Sequence, residues 1–200
     1  MSERVFGIEA GPDDIPRCWW CLGAPEYLDY HDLEWGRPVR EDRALFEILT
    51  LEAFQSGLSW LTILRKRAAF RDAFAEFDFE LVADFGTADV RRLLGNASIV
   101  RHRGKIEGTI ENARCIRALR AEGSTLADLL WTFAPDGDTR AVPASSVDLE
   151  SATGESRALA KALKGRGFRL VGPTTAYSIM QAAGLVNDHL AGCAFRDARK

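Results

Sequence analysis

Gly167-Phe168-Arg169-Leu170-Val171-Gly172-Pro173-Thr174-Thr175 joins a segment rich in Lys and Arg to the apolar run Ala176-Tyr177-Ser178-Ile179-Met180-Gln181-Ala182-Ala183. The upstream segment places Leu159, Ala162 and Leu163 on one helical face and Arg157, Lys161 and Lys164 on another, and Gly165 ends it. Gly167 and Gly172 permit positive φ and close backbone approach, and Pro173 suits the first turn of a new helix. Free N–H groups at that turn lie at the positive end of a helix dipole, a setting that stabilises phosphate. The stretch therefore predicts two helices joined by a hairpin that grips a DNA backbone through Gly167, Gly172, Thr174 and Thr175. An ordinary tight turn between helices is the alternative.

Outward from this hairpin, every strong period is near 3.6. Asp42 is a plausible N-cap for a helix carrying Leu45, Phe46, Leu49 and Ala53 and stopping near Gly57. Ser59 can cap the next helix, Asp78 and Thr87 two shorter ones, and Ser124 another that ends around Trp131 and Phe133. A longer helix starts near Arg103 with Ile106, Ile110 and Ala113 on one face. Residues 135–153 read as a surface loop, and residues 1–16, with Gly11-Pro12-Asp13-Asp14 and Pro16, as a loose N-terminal arm. No apolar-polar alternation competes with the helices, so the expected class is all-α, with residues 17–200 as a single helical domain.

No apolar run approaches the roughly 18 to 20 residues needed to cross a bilayer, and a cytoplasmic, monomeric protein with no membrane partner is expected. The net charge of −3 hides an asymmetry. Residues 1–50 hold 5 Lys or Arg against 11 Asp or Glu, whereas residues 151–200 hold 8 against 3. A basic C-terminal quarter can meet phosphate while the opposite end stays acidic, so the overall charge does not exclude DNA.

Two features point to chemistry. In Leu51-Glu52-Ala53-Phe54-Gln55-Ser56-Gly57-Leu58-Ser59-Trp60, one carboxylate sits among apolar neighbours. Burying an ionised Glu without partners costs roughly several kcal/mol. Glu52 is therefore read as facing a cationic or amino-bearing ligand with Trp60 as a flat wall, against the bland alternative of a surface Glu and a core Trp. The second feature is His189 and Cys193, four apart, a spacing from which both can reach one ion. Cys18 and His31 could complete a closed, structural Cys₂His₂ site, and a satisfied His beside an inert Cys is the alternative. Cys18-Trp19-Trp20-Cys21 also has the spacing of a zinc knuckle or redox pair.

Taken together, Tyr30-His31-Asp32, Glu34-Trp35-Gly36, Leu51-Glu52 with Gln55, Gly57-Leu58-Ser59-Trp60, Arg101-His102-Arg103-Gly104-Lys105-Ile106, Gly167-Phe168 with Val171-Gly172, Gly184-Leu185-Val186-Asn187-Asp188-His189 and Gly192-Cys193 carry a resemblance. Over Arg17 to Cys193 the chain resembles the DNA-3-methyladenine glycosylase I (Tag) family of the helix-hairpin-helix DNA glycosylase superfamily. The resemblance implies a helix-hairpin-helix glycosylase fold and one structural zinc ion on Cys18, His31, His189 and Cys193, joining the N- and C-terminal segments and leaving Cys21 and Cys115 outside. It implies that Glu52 and Tyr30 contact the excised base and serve catalysis, that Trp20 and Trp60 wall the base, and that Gln55, Gly57 and Leu58 meet DNA, with Leu58 filling the gap in the stack.

The activity so implied is repair of alkylated double-stranded DNA: 3-methyladenine is flipped out, its N-glycosidic bond is hydrolysed, and an abasic site remains with the free base as product. Asp188 is not expected to be the general base; orienting His189 or capping a helix are its expected roles. Phe54 and Trp19 depart from the familiar pattern and bear on specificity. The competing reading is a zinc-stapled DNA-binding module without catalysis.

Overall fold

A computed structural model describes residues 5–136 and 140–197. The first four residues of the expected arm, the loop positions 137–139 and the last three positions lie outside the described residues. The fold is mostly helical: α1 (Pro25–Leu33), α2 (Asp42–Gln55), α3 (Trp60–Leu64), α4 (Arg67–Ala73), α5 (Phe79–Ala83), α6 (Thr87–Gly95), α7 (Arg103–Ala121), α8 (Leu126–Trp131), α9 (Gly154–Gly165) and α10 (Pro173–Ala182). Two three-residue strands, β1 (Ile8–Ala10) and β2 (Pro16–Cys18), pair antiparallel with Ile8 opposite Cys18.

That ribbon adds a little sheet to a fold whose expected helical class stands, and it corrects one expectation: residues 5–16 are tied down where a loose arm was expected. Phe6 exchanges hydrogen bonds with Ser146 (Ser146 N to Phe6 O 2.8 Å, Phe6 N to Ser146 Oγ 3.0 Å) and stacks on Trp19. Arg17, almost fully buried, donates to Asp32 through Nε and Nη2 (3.0 and 2.8 Å) and to Asp13 (2.6 and 2.9 Å). A strand of three residues has too little alternation to announce itself in sequence.

The helices form because their caps and apolar faces agree. Ser59 accepts from Thr62 N, and Asp78 from Glu80 N and Leu81 N, as expected. The first turn of α2 differs: Glu41 is the cap, accepting from Arg43 N and Ala44 N, while Asp42 is buried and accepts from Ala127 N at 3.0 Å, tying α2 to α8. Gly86 precedes α6 in place of Thr87, and Thr125 caps α8 in place of Ser124. The faces of α2 and α4 close on Phe54, Phe70, Phe74 and Phe77, with Phe54 and Phe70 ring centroids 4.7 Å apart. Each such side chain contributes about 1.5–3 kcal/mol through burial.

The hairpin of residues 166–172 docks on the side of α7. Asn112, buried, accepts from Arg169 N at 2.7 Å and donates to Arg169 O at 3.2 Å. Gly108 makes room for it, since a Cβ there would lie 2.8 Å from Leu170 Cδ1. Gly167 adopts positive φ (91°), but Gly172 does not; Leu170 takes the second left-handed position at 62°. The docking against Asn112 holds Leu170 in that unfavourable region. None of the described helices is long and apolar enough to cross a membrane.

Candidate active site and metal cluster

Four helices, α1, α2, α3 and α10, and one short turn converge on a cavity of about 280 Å³, lined by Trp19, Trp20, Tyr30, Trp35, Glu52, Gln55, Trp60, Leu149, Ser178 and Gln181. Each wall has a local cause. Glu52 and Gln55 share one face of α2, three residues apart. Trp60 is delivered by the Ser59 cap at the first position of α3, whose Leu61 N is held by Tyr27 Oη at 2.9 Å. Trp19 and Trp20 lie in a 3-10 turn at residues 19–23. Trp35 follows α1, where Glu34 N and Trp35 N both donate to Tyr30 O. The rings pack edge to face: Trp20 on Trp35 at 5.0 Å and on Tyr30 at 6.4 Å, with Trp60 tilted against Tyr30 at 5.3 Å.

Glu52 is 6 % exposed and makes no hydrogen bond or ion pair with any described residue. Desolvation pushes its carboxyl up to about 8. Tyr30 is raised well above the usual phenol range by burial and by Glu52 and Glu34, so its hydroxyl keeps its proton. A solitary acid in an aromatic cage is poised to take up positive charge: a cation entering the cavity supplies the partner that the fold withholds.

The structure brings Glu52, Tyr30, Trp20 and Trp60 around this one space. Gln55 lines its mouth, and Gly57 (φ 82°) and the half-exposed Leu58 stand just beyond the end of α2. Phe54, by contrast, points into the core and does not line the cavity, whereas Trp19 does. Lys105, part of the Arg101–Ile106 motif, donates Nζ to Phe54 O (2.8 Å) and Ser56 O (2.6 Å). It holds the last turn of α2 by its carbonyls, and the sign of the helix dipole favours a cation there.

Cys18, His31, His189 and Cys193 are all buried, and their ligand atoms lie within 4.8 Å of one another. His31 Nε2 and His189 Nδ1 are 3.1 Å apart, and each is 3.5 Å from Cys193 Sγ. The edges of a tetrahedron with Zn–N and Zn–S bonds of ordinary length are about 3.3 and 3.6 Å, so the donor set and its spacing fit such an ion. Held by the Cys18 thiol and then by His189 and His31, Cys193 is driven well below the usual thiol range, toward the thiolate a metal requires. Cys21 donates to Cys18 O and Cys115 lies elsewhere in the core.

Asp188 does not orient His189. Its buried carboxylate pairs with Arg140 and accepts from Tyr177 Oη (2.5 Å) and Gln181 Nε2 (2.8 Å). The carboxylate beside a candidate ligand is Asp32, 2.7 Å from His31 Nδ1. The cluster also abuts the cavity: Trp20 packs on His31 at 5.3 Å and Trp35 on His189 at 4.8 Å.

A family model described as Methyladenine glycosylase matches residues 20–197. The chain is 45 % identical over 179 residues to DNA-3-methyladenine glycosylase 1 of Escherichia coli (strain K12), covering 90 % of this chain and 96 % of that one. Its structure superposes with a TM-score of 0.84 on a crystal structure of 3-methyladenine DNA glycosylase I, 48 % identical, over 89 % of this chain and 98 % of the other. A structure of the Staphylococcus aureus enzyme that describes 3-methyladenine recognition matches with a TM-score of 0.83 at 35 % identity, over 90 % and 96 % of the two chains. The chain belongs to the methyladenine glycosylase family.

Proposed function

We propose that this protein is a DNA repair glycosylase that extrudes 3-methyladenine from alkylated double-stranded DNA and hydrolyses its N-glycosidic bond. The observation that carries the reading is the partnerless Glu52 carboxyl in an aromatic cage, in a chain of this family. A 3-methyladenine nucleotide is cationic. Entering the cavity, it restores the charge of Glu52 and stacks against Trp60 and Trp20, an attraction of about 0.5–2 kcal/mol for a cation over a ring. Unmodified adenine has no charge to offer and leaves the acid protonated.

The same cation is already a good leaving group. The N-glycosidic electron pair departs onto the base, which becomes neutral, while the sugar develops positive charge and is captured by water, which gives up a proton to solvent and leaves an abasic site. The protein holds the extruded base, keeps it from the stack and leaves no covalent intermediate. Glu52 and Tyr30 are the base-contacting, catalytic residues in this reading. Gln55, Gly57 and the wedge Leu58 meet the DNA, and the hairpin grips the backbone through Gly167, Gly172, Thr174 and Thr175. A Cβ on Gly172 would meet no protein atom, which suits a site approached from outside. Residues 17–200 act as one helix-hairpin-helix glycosylase domain, working as a cytoplasmic monomer.

Zinc bound by Cys18, His31, His189 and Cys193 would be structural, since four protein ligands leave no position for water. Its contribution is to clasp the two chain ends behind the aromatic wall.

Metal-loaded protein incubated with methylated duplex DNA is expected to release 3-methyladenine, detected by chromatography of the free bases. DNA binding without release would instead make the chain a non-catalytic module. Lys105→Met provides a sharper check on the geometry. It leaves two carbonyls of α2 without their donor and is expected to lower release about tenfold, with a stability loss of about 1–2 kcal/mol. Release measured at saturating DNA should fall, since the wedge turn and not the grip is disturbed. Trp60→Ala removes the stacking wall and should weaken binding of free 3-methyladenine by about tenfold, read by titration against the remaining tryptophans.

A further inference from the structure

The cavity wall supplied by α10 carries Ser178 and Gln181, three residues apart on one helix face. Behind Gln181 lies the buried Asp188. One carboxylate oxygen of Asp188 pairs with the Arg140 guanidinium, and the other accepts from Tyr177 Oη and Gln181 Nε2. Arg140 Nη2 also donates to Tyr177 Oη at 2.9 Å, so the phenol spends its own proton on Asp188. A carboxylate paired with arginine only accepts. The carboxamide of Gln181 can therefore turn only its NH₂ toward Asp188, and the choice between its two flipped forms is set by chemistry.

What remains to face the cavity is Gln181 Oε1, which has no hydrogen-bond partner among the described residues. Of the other polar groups on the wall, Glu52 answers the charge of the base, and Trp60 Nε1, buried without a hydrogen-bond partner among the described residues, only donates. Tyr30 and Gln55 can donate or accept, and Ser178 Oγ donates to Thr174 O at 3.3 Å. Gln181 is fixed as an acceptor.

We propose that Gln181 is a specificity-determining residue of the base cavity: its Oε1, held outward by Asp188, Arg140 and Tyr177, accepts a hydrogen bond from the exocyclic amine of the extruded base. This rests on the glycosylase reading and deepens it. Adenine-type bases carry a 6-amino donor where guanine-type bases carry a 6-oxo acceptor. A fixed acceptor welcomes the first and sets two lone pairs against each other with the second, so Gln181 separates 3-methyladenine from 3-methylguanine. Asp188 is then a positioning residue acting through Gln181. The rejection is of the kind a hydrogen-bonding site achieves and a purely apolar wall does not.

The test uses full-length, metal-loaded protein on duplex DNA methylated so that it carries both 3-methyladenine and 3-methylguanine, with the released bases separated and timed. Wild-type protein must release 3-methyladenine; if it releases neither base, the glycosylase reading fails and this proposal falls with it. With wild-type release established, Gln181→Met, matched in length but lacking the acceptor, is expected to slow 3-methyladenine release about tenfold or more while 3-methylguanine release holds or rises, since the clash with its 6-oxo group is removed. Asp188→Asn, which allows the carboxamide to reverse, should shift the ratio of the two rates in the same direction. Fluorescence titration of the wall tryptophans with the two free bases should give the same shift in binding preference without catalysis. Metal content and thermal midpoint are followed for each variant, and Gln181→Asn, which withdraws the oxygen from the cavity, replaces any variant that does not fold. Parallel loss of both bases, or an unchanged ratio, would overturn the assignment.

Discussion

Glu52→Gln is expected to stop base release and, at the same time, to stabilise the fold. The sign follows from the carboxyl being raised to about 8 by desolvation, against 4.5 for an ordinary Glu. Below pH 4.5 the group is protonated in both folded and unfolded chains and costs nothing. Between that pH and about 8 the unfolded chain ionises while the folded one cannot, so stability falls by about 1.4 kcal/mol per pH unit. At pH 7 the accumulated deficit is on the order of 3 kcal/mol, and the neutral amide removes it. The thermal midpoint of Glu52→Gln should exceed that of the wild type by roughly 5–10 °C at pH 7 and by nothing measurable at pH 4. Base release should drop about 100-fold or more, because the group that answers the cation's charge is gone. A lower midpoint in the variant would make Glu52 a structural residue and remove the main support for the cavity's assignment.

Cys193→Ser is expected to do the reverse. Serine cannot replace the thiolate, so the variant should purify with little zinc and lose about 4 kcal/mol or more of stability, a size reserved for loss of a metal or comparable core damage. Chelation of the wild type should reproduce the effect. Cys21→Ser and Cys115→Ser should retain the metal, as neither belongs to the quartet. Because Trp20 and Trp35 pack on His31 and His189, the near-ultraviolet circular dichroism of the aromatic wall should change together with the metal content. A metal-free Cys193→Ser protein with wild-type stability would dispose of the clasp.

How much of this was legible in the sequence depended on range. Local signals carried well: the Ser59 and Asp78 caps, the face of α2 with Leu45, Phe46 and Leu49, and the break at Gly57 all follow from neighbours a few residues away. Where two acceptors stood side by side, sequence could not choose. Glu41 rather than Asp42 caps α2 because Asp42 is recruited by Ala127 N, far along the chain. The cavity's carboxylate and its aromatic walls stood out because their residue types are costly or conspicuous. The parts that hold those walls did not: Lys105 under α2, Asn112 under the hairpin and Arg140 behind Asp188 look like ordinary surface residues until tertiary structure supplies their partners. The N-terminal ribbon was missed for the same reason, since its stability comes from Ser146 and Asp32 rather than from its own three-residue strands.

The clasp has a kinetic consequence. Leu190 N donates to Cys18 Sγ across a sequence separation of 172, and His31 meets Cys193 across 162. Contacts this remote close the longest loops in the chain, whereas α9, α10 and the hairpin between them assemble from near neighbours. Pairing of the two ends is therefore expected in the final stage of folding, after the helical body has formed. Interactions completed after the transition state leave the folding rate almost untouched and act on the rate of unfolding. Metal bound at this position would work as a latch on the finished molecule: its removal should speed the opening of the aromatic wall while the helices still fold at their usual pace.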